Sequence, residues 1–252
     1  MSIVAIGWDV RGWRGTQQAI VVLKFDKHDK KPQWWVSEDF RFEPGQSFSL
    51  FSLVSKATGT EKTPWLEQAD KIVVGIDAPL AFPRAFIDLL TNNETSITPS
   101  STEMENPLAY RDCERWIYKQ FGKKPLSATF DKLGNGATLA LSLAHALVQE
   151  GFQLVPQTAN DADRAIIEVY PAIHKIEPRR AASAIESMHR LIPTNISVGS
   201  DQYDAAICAI LAALYAGCED DLGLPSVSGI QEGFDPAEGW IYALPADYVR
   251  EY

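Results

Sequence analysis

This sequence predicts an α/β fold on a mixed sheet, and three observations carry the prediction. The chain opens with three β-rich runs separated only by turns and short polar stretches, which makes an antiparallel meander. Lys71 to Asp77 is almost unbroken in Ile and Val, the pattern of a strand covered on both faces, reached by a crossover through a helix. Several later segments carry apolar residues at helical spacing.

Ile3 to Asp9 forms the first strand, the turn-rich Arg11-Gly-Trp-Arg-Gly15 follows, and Gln18 to Phe25 returns as the second. Beyond the charged Asp26-Lys-His-Asp-Lys-Lys31, the alternating run Trp34 to Phe42 reads as a third strand. Gln46 to Ala57 has Phe48, Leu50, Phe51, Leu53 and Val54 on a helical period, and Thr63 to Ala69 makes a second short helix with Pro64 in its first turn. A strand trio, then a helix, then a parallel strand is the opening of a ribonuclease H-like mixed sheet.

From residue 78 to about 150 the chain reads as a helical and loop insertion beside the sheet. Its first part, through Pro107, is rich in Pro, Thr, Ser and Asn around a short helix at Arg84 to Leu90, and Leu108 to Phe121 and Thr138 to Glu150 are helical. Arg164 to Tyr170 is a strand stopped by Pro171. Pro178 to Arg190 and Asp201 to Ala216 are helices, and Gly239 to Leu244 is a last strand. At 252 residues the expectation is one domain, 1–252, carrying that insertion.

Hydrophobic residues make up 46% of the chain and charged residues 22%, which excludes a mainly disordered protein. The scattered cysteines Cys113, Cys208 and Cys218 form no CxxC pair, so neither a disulfide framework nor a structural zinc site is indicated, and a reducing, cytoplasmic setting is expected. No secretory signal is read at the N-terminus, and the apolar stretch from Ala205 to Cys218 is too short to span a bilayer. With 23 Lys and Arg against 33 Asp and Glu, the net charge of −10 argues against broad non-specific binding to nucleic acid. A small or structured nucleic acid, or a nucleotide, suits it better than long duplex.

The acids are the chemical signal. Ile3-Val-Ala-Ile-Gly-Trp-Asp9, Ile72-Val-Val-Gly-Ile-Asp77 and Ala165-Ile-Ile-Glu168 are apolar runs that each end on an acid, and Asp201-Gln-Tyr-Asp204 opens an Ala-rich apolar helix. Strand ends and helix starts meet at one edge of such a sheet, so these carboxylates can converge. Converged carboxylates repel one another, and a divalent cation relieves the repulsion while polarising a phosphoryl oxygen or activating water. Carboxylates suit Mg²⁺ or Mn²⁺ better than zinc. Asp9, Asp77 and Asp204 are the expected ligands, with Asp201 and Glu168 completing the catalytic set. Arg11, Arg14 and Arg111 are candidate substrate-binding residues because a guanidinium grips phosphate bidentately.

Each residue has a plainer reading. Asp9 and Asp77 sit where turn acids are common, Asp201 and Asp204 suit the first turn of any helix, and Glu168 could pair with Arg164 or Arg111. Trp8 reads as core and Trp13 as core or a stacking surface. His174 is a candidate proton shuttle. No GxSxG elbow or GxxxxGK[ST] loop is present, which disfavours a serine hydrolase and an ordinary P-loop enzyme.

Six short pieces in order along the chain resemble domain-of-unknown-function family 429: Ile6-Gly-Trp-Asp9, Gly75-Ile-Asp-Ala-Pro-Leu80, Arg111-Asp-Cys-Glu114, Glu168-Val-Tyr-Pro171, Asp201-Gln-Tyr-Asp204-Ala-Ala and Gly239-Trp-Ile-Tyr242. The resemblance implies a ribonuclease H-like fold and a metal-dependent nuclease. The alternatives are a nucleotide-binding phosphotransferase of the actin and sugar-kinase type, and a non-catalytic binding protein on a degenerate nuclease scaffold.

Overall fold

The computed structural model describes residues 1–13, 18–26, 29–43, 45–60, 63–91, 98, 100–131, 133–159, 161–175 and 183–249. The expected substrate-binding residue Arg14 lies outside them, as does the start of the helix expected from Pro178. The described chain is α/β, with antiparallel and parallel strands in one sheet and helices on its faces.

The elements in order are β1 (Ser2–Asp9), β2 (Ala19–Asp26), β3 (Asp29–Val36), α1 (Leu50–Thr58), α2 (Pro64–Glu67), β4 (Lys71–Asp77), α3 (Arg84–Thr91), α4 (Asp112–Phe121), α5 (Gly134–Gln149), β5 (Gln153–Leu154), β6 (Arg164–Val169), α6 (Ser183–Leu191), α7 (Asp201–Tyr215), α8 (Glu219–Leu222) and β7 (Ile241–Tyr242). Across the sheet the strands run β3-β2-β1-β4-β6-β5, and β7 also pairs with β6. β1–β2 and β2–β3 are antiparallel, whereas β1–β4 and β4–β6 are parallel.

The third strand differs from the expected Trp34 to Phe42. It pairs from Asp29 to Val36 and is followed only by an isolated bridge between Gln18 and Phe40. The aromatic residues past it build a cluster instead of extending the strand. Phe40, Phe42 and Phe48 pack edge to face, and Phe42 closes on Trp8 at 5.9 Å between ring centroids. Gly239 to Leu244 shortens to the two residues of β7. From the stretch 78–150, read as an insertion, α4 and α5 supply buried side chains to the two cores on either side of the sheet.

Strand alternation divides those cores. Ile3, Ala5, Ala19, Val21, Val73, Ala165 and Ile167 point to the face covered by α7, with α4 and α6 contributing. Val4, Ile6, Trp8, Ile20, Ile72, Val74, Ile76 and Ile166 point to the opposite face, covered by α1 and α5. α7 is buried continuously from Ala205 to Leu214, and sinking each of Ile207, Ile210, Leu211 and Leu214 contributes about 2 kcal/mol. Among the described residues, no helix is long and apolar enough to cross a membrane.

Candidate functional site

The site is built by two glycines and the helix lying on them. β1 and β4 pair in register, so Gly7 faces Gly75 and, two residues on, Asp9 faces Asp77. A Cβ on Gly7 would stand 1.9 Å from the Ala205 carbonyl oxygen and 2.4 Å from the Ala209 nitrogen. One on Gly75 would stand 2.7 Å from the Cys208 oxygen. The absence of both side chains, with small residues at Ala205, Cys208 and Ala209, lets the α7 backbone lie directly on the sheet.

Period-2 alternation puts Asp9 on the face of Gly7 and Asp77 on that of Gly75. The acid preceding Ala205 on the helix is Asp204. Ser200 caps α7, accepting from the Tyr203 amide, which holds Asp201 and Asp204 in the first turn. Two strand ends and a helix start therefore deliver three carboxylates to one cavity of 290 Å³, also lined by Arg11, Leu126 and Tyr170.

Burial dominates the electrostatics. Asp9 is 5% exposed; desolvation pushes its pKa up to about 7, with Asp204 and Asp201 adding and Arg11 and Lys175 opposing. Burial also holds the partly exposed Asp77 well above the usual carboxylate range, reinforced by Asp9 and Asp204. Asp204 is raised by desolvation against the pull of Lys175, whose ammonium donates to Asp204 Oδ2. Asp9 Oδ2 and Asp204 Oδ1 are buried with no hydrogen-bond partner among the described residues, and the Arg11 Nε stands 3.9 Å from the former.

The remaining candidates separate from this trio. Asp201 does not line the cavity; it pairs with Arg11 and holds that guanidinium beside Asp9. Glu168 has the parity of Ile166 and faces Ile76 across β4, one step off from Asp77. It touches the cavity, but its oxygens accept from Arg111 at 2.6 and 2.8 Å and from the Leu80 amide at 2.8 Å. The ion pair with Arg111 is thus what the structure contains.

Arg111 cannot serve as a substrate grip. It is wholly buried, and its two terminal nitrogens are engaged by Glu168, by Glu114 at 2.8 Å and by the Glu238 carbonyl at 3.2 Å, leaving only a buried Nε without a partner among the described residues, so it ties the end of β6 to the start of α4. His174 is likewise removed as a proton shuttle: it is fully buried, and its Nδ1 lies 3.2 Å from the Tyr170 carbonyl. Its Nε2 accepts from the Leu244 amide, and burial holds its pKa down at about 3. Trp8 is core, donating to Gln18 at 3.0 Å, while Trp13 is 51% exposed and fixed by hydrogen bonds to Asn135 and Thr138.

Sequence reasoning missed Lys175 and Tyr170. Lys175 is a lone cation past Pro171 with no motif to mark it. Tyr170 lies in the Glu168-Val-Tyr-Pro171 piece; it lines the cavity, and burial with Asp77 nearby pushes its hydroxyl up to about 12.

Among the described residues, no three His, Cys, Asp or Glu side chains are already arranged to hold a metal ion. The donor chemistry nonetheless suits a hard cation, since the two partnerless buried oxygens are anionic and belong to the same cavity-lining cluster. No family model, no curated protein and no solved structure matches the chain.

Proposed function

We propose that this chain hydrolyses phosphodiester bonds of a nucleic acid with a divalent cation, Mg²⁺ or Mn²⁺, on a ribonuclease H-like sheet. The observation that carries the reading is the pair of buried oxygens Asp9 Oδ2 and Asp204 Oδ1, without a hydrogen-bond partner among the described residues, on carboxylates that share a cavity with Asp77. A buried carboxylate is costly, and three together ionise fully only with added positive charge among them, beyond what Arg11 and Lys175 supply. Strand order agrees: three antiparallel strands, then parallel ones, with β1 in the interior of the sheet.

Asp9, Asp77 and Asp204 would hold the cation, which when bound supplies water activation and stabilisation of the leaving oxygen. Asp201 keeps Arg11 at the cavity wall, where its charge meets a phosphate entering it. Arg111 and Glu168 fix the strand end next to Asp77 and take no part in the chemistry.

One observation favours a second reading. Lys175 and Arg11 already pair with Asp204 and Asp201, as they would in a non-catalytic binding protein that has replaced its cation with side chains. Incubation with labelled single-stranded, duplex and branched DNA, RNA and hybrid substrates separates the two. Cleavage that requires Mg²⁺ or Mn²⁺ and disappears in Asp77→Asn is the expected result; no cleavage of any substrate, or cleavage unaffected by that variant, favours the second reading.

A further inference from the structure

We infer that the cavity beside the carboxylates receives one nucleotide unit, a strand end or a residue swung out of its stack, and that a stacked duplex is not the bound form. The inference rests on the nuclease reading for its chemistry and on the shape and lining of the cavity for its content. The volume, 290 Å³, lies just below the roughly 300–1,000 Å³ of small-ligand pockets. That suits one base with its sugar.

The lining is divided by chemistry. Asp9, Asp77 and Asp204 supply the free anionic part, Glu114 and Glu168 line it while held by Arg111, and Val10, Leu126 and Leu133 are among its apolar walls. A nucleotide has the matching division: a flat, weakly solvated base, and a phosphate that joins carboxylates through a shared cation. Access makes the same demand. Asp9 is only 5% exposed and the free oxygen of Asp204 is buried, so a phosphate must enter the cavity to approach them, which a strand end or a residue turned out of its stack does most readily. Turning one residue out of a duplex carries a free-energy cost from which a single strand or an end is largely exempt. The net charge of −10 points the same way, because the chain gains little from a long polyanion.

Leu126 is the residue to change. It lines the cavity yet is 55% exposed, so a larger side chain there narrows the entrance without disturbing the core. The full chain in Mg²⁺ is titrated with thymidine 5′-monophosphate and, separately, with inorganic phosphate, for the wild type and for Leu126→Trp checked by its melting temperature. The nucleotide should bind at least roughly tenfold more tightly than phosphate, and Leu126→Trp should erase that preference. Equal affinities for the two probes, or a preference untouched by Leu126→Trp, overturn the inference. Cleavage of a covalently closed duplex circle as fast as a linear single strand also overturns it while leaving the nuclease reading intact. Nucleotide preference sensitive to Leu126→Trp, with no cleavage of any nucleic acid, upholds the pocket and removes the nuclease reading.

Discussion

At the scale of single residues, Asp9 works against the stability of the fold that holds it. Its pKa rises from 3.8 to about 7 on burial, so the stabilisation tied to its protonated form is complete below pH 3.8 and is lost as pH rises through 7. Above that the chain carries a buried charge that Arg11 only partly offsets. Asp9→Asn removes the charge and keeps the shape. At pH 8 it should raise stability by about 1–4 kcal/mol, read as a higher melting temperature at roughly 2–4 °C per kcal/mol; an unchanged or lower melting temperature would contradict this. Lys175 makes the complementary case. If its ammonium stands in for part of a cation's charge at Asp204, Lys175→Ala should bind Mn²⁺ several-fold more tightly by calorimetry. Weaker binding would show that Lys175 helps hold the site together. Nothing in the residue order singles out Lys175, because a lone lysine after a strand end is what any solvated surface contains; its meaning exists only once Asp204 is placed beside it.

At the scale of elements, the contact of α7 with β1 and β4 locates the site. Gly7→Ala tests it: the new methyl would meet helix backbone at 1.9 Å, which no rotamer change relieves. The loss should exceed the usual 1–3 kcal/mol of core overpacking, measured by urea unfolding. A loss under 1 kcal/mol would mean that the helix moves freely on the sheet. The convergence of the acids is legible in the sequence, whereas the seating of α7 on Gly7 and Gly75 is not. The Gly-x-Asp at the end of each strand and the Ala-rich helix opened by Asp201 and Asp204 are local patterns, and period 2 carries them to one face. Glu168 shows what is not legible: it too ends an apolar run, but its parity follows Ile166, and register between strands is a tertiary property. The pairing of Glu168 with Arg111 is one of the plainer sequence readings, but the complete burial of Arg111 is not legible. An arginine near a helix start looks like a surface residue until Glu114, Glu168 and Glu238 surround it.

At the scale of the whole molecule, two buried groups oppose each other in acid. His174 is held neutral, its pKa lowered from 6.5 to about 3, so its contribution is complete above pH 6.5 and drains away as pH falls toward 3. Asp9 changes in the opposite sense between 3.8 and 6.5, and the two nearly cancel there. Asp77, Glu114 and Asp204, also raised by burial, act in the sense of Asp9, so the test is a difference: between pH 6.5 and 4.5 the unfolding free energy of Asp9→Asn should fall about 1.4 kcal/mol per unit more steeply than that of the wild type. Parallel profiles would contradict the account. The sequence pattern bounds this scale well, since an ordinary apolar content excludes disorder and the β-rich opening followed by helical spacings implies an α/β core. It could not show that the stretch from residue 78 to 150 contributes α4 and α5 to opposite faces of the sheet, because a helix pattern gives its own apolar stripe and not the surface that stripe will meet.

The central claim is that Asp9, Asp77 and Asp204 act as one cation site, and calorimetric titration with Mn²⁺ at pH 8 tests it most directly. The wild type should bind with measurable heat, and Asp9→Asn and Asp204→Asn should each weaken that binding at least roughly tenfold, the scale of losing one charged ligand. Equal heats and affinities from the wild type and both variants would contradict it.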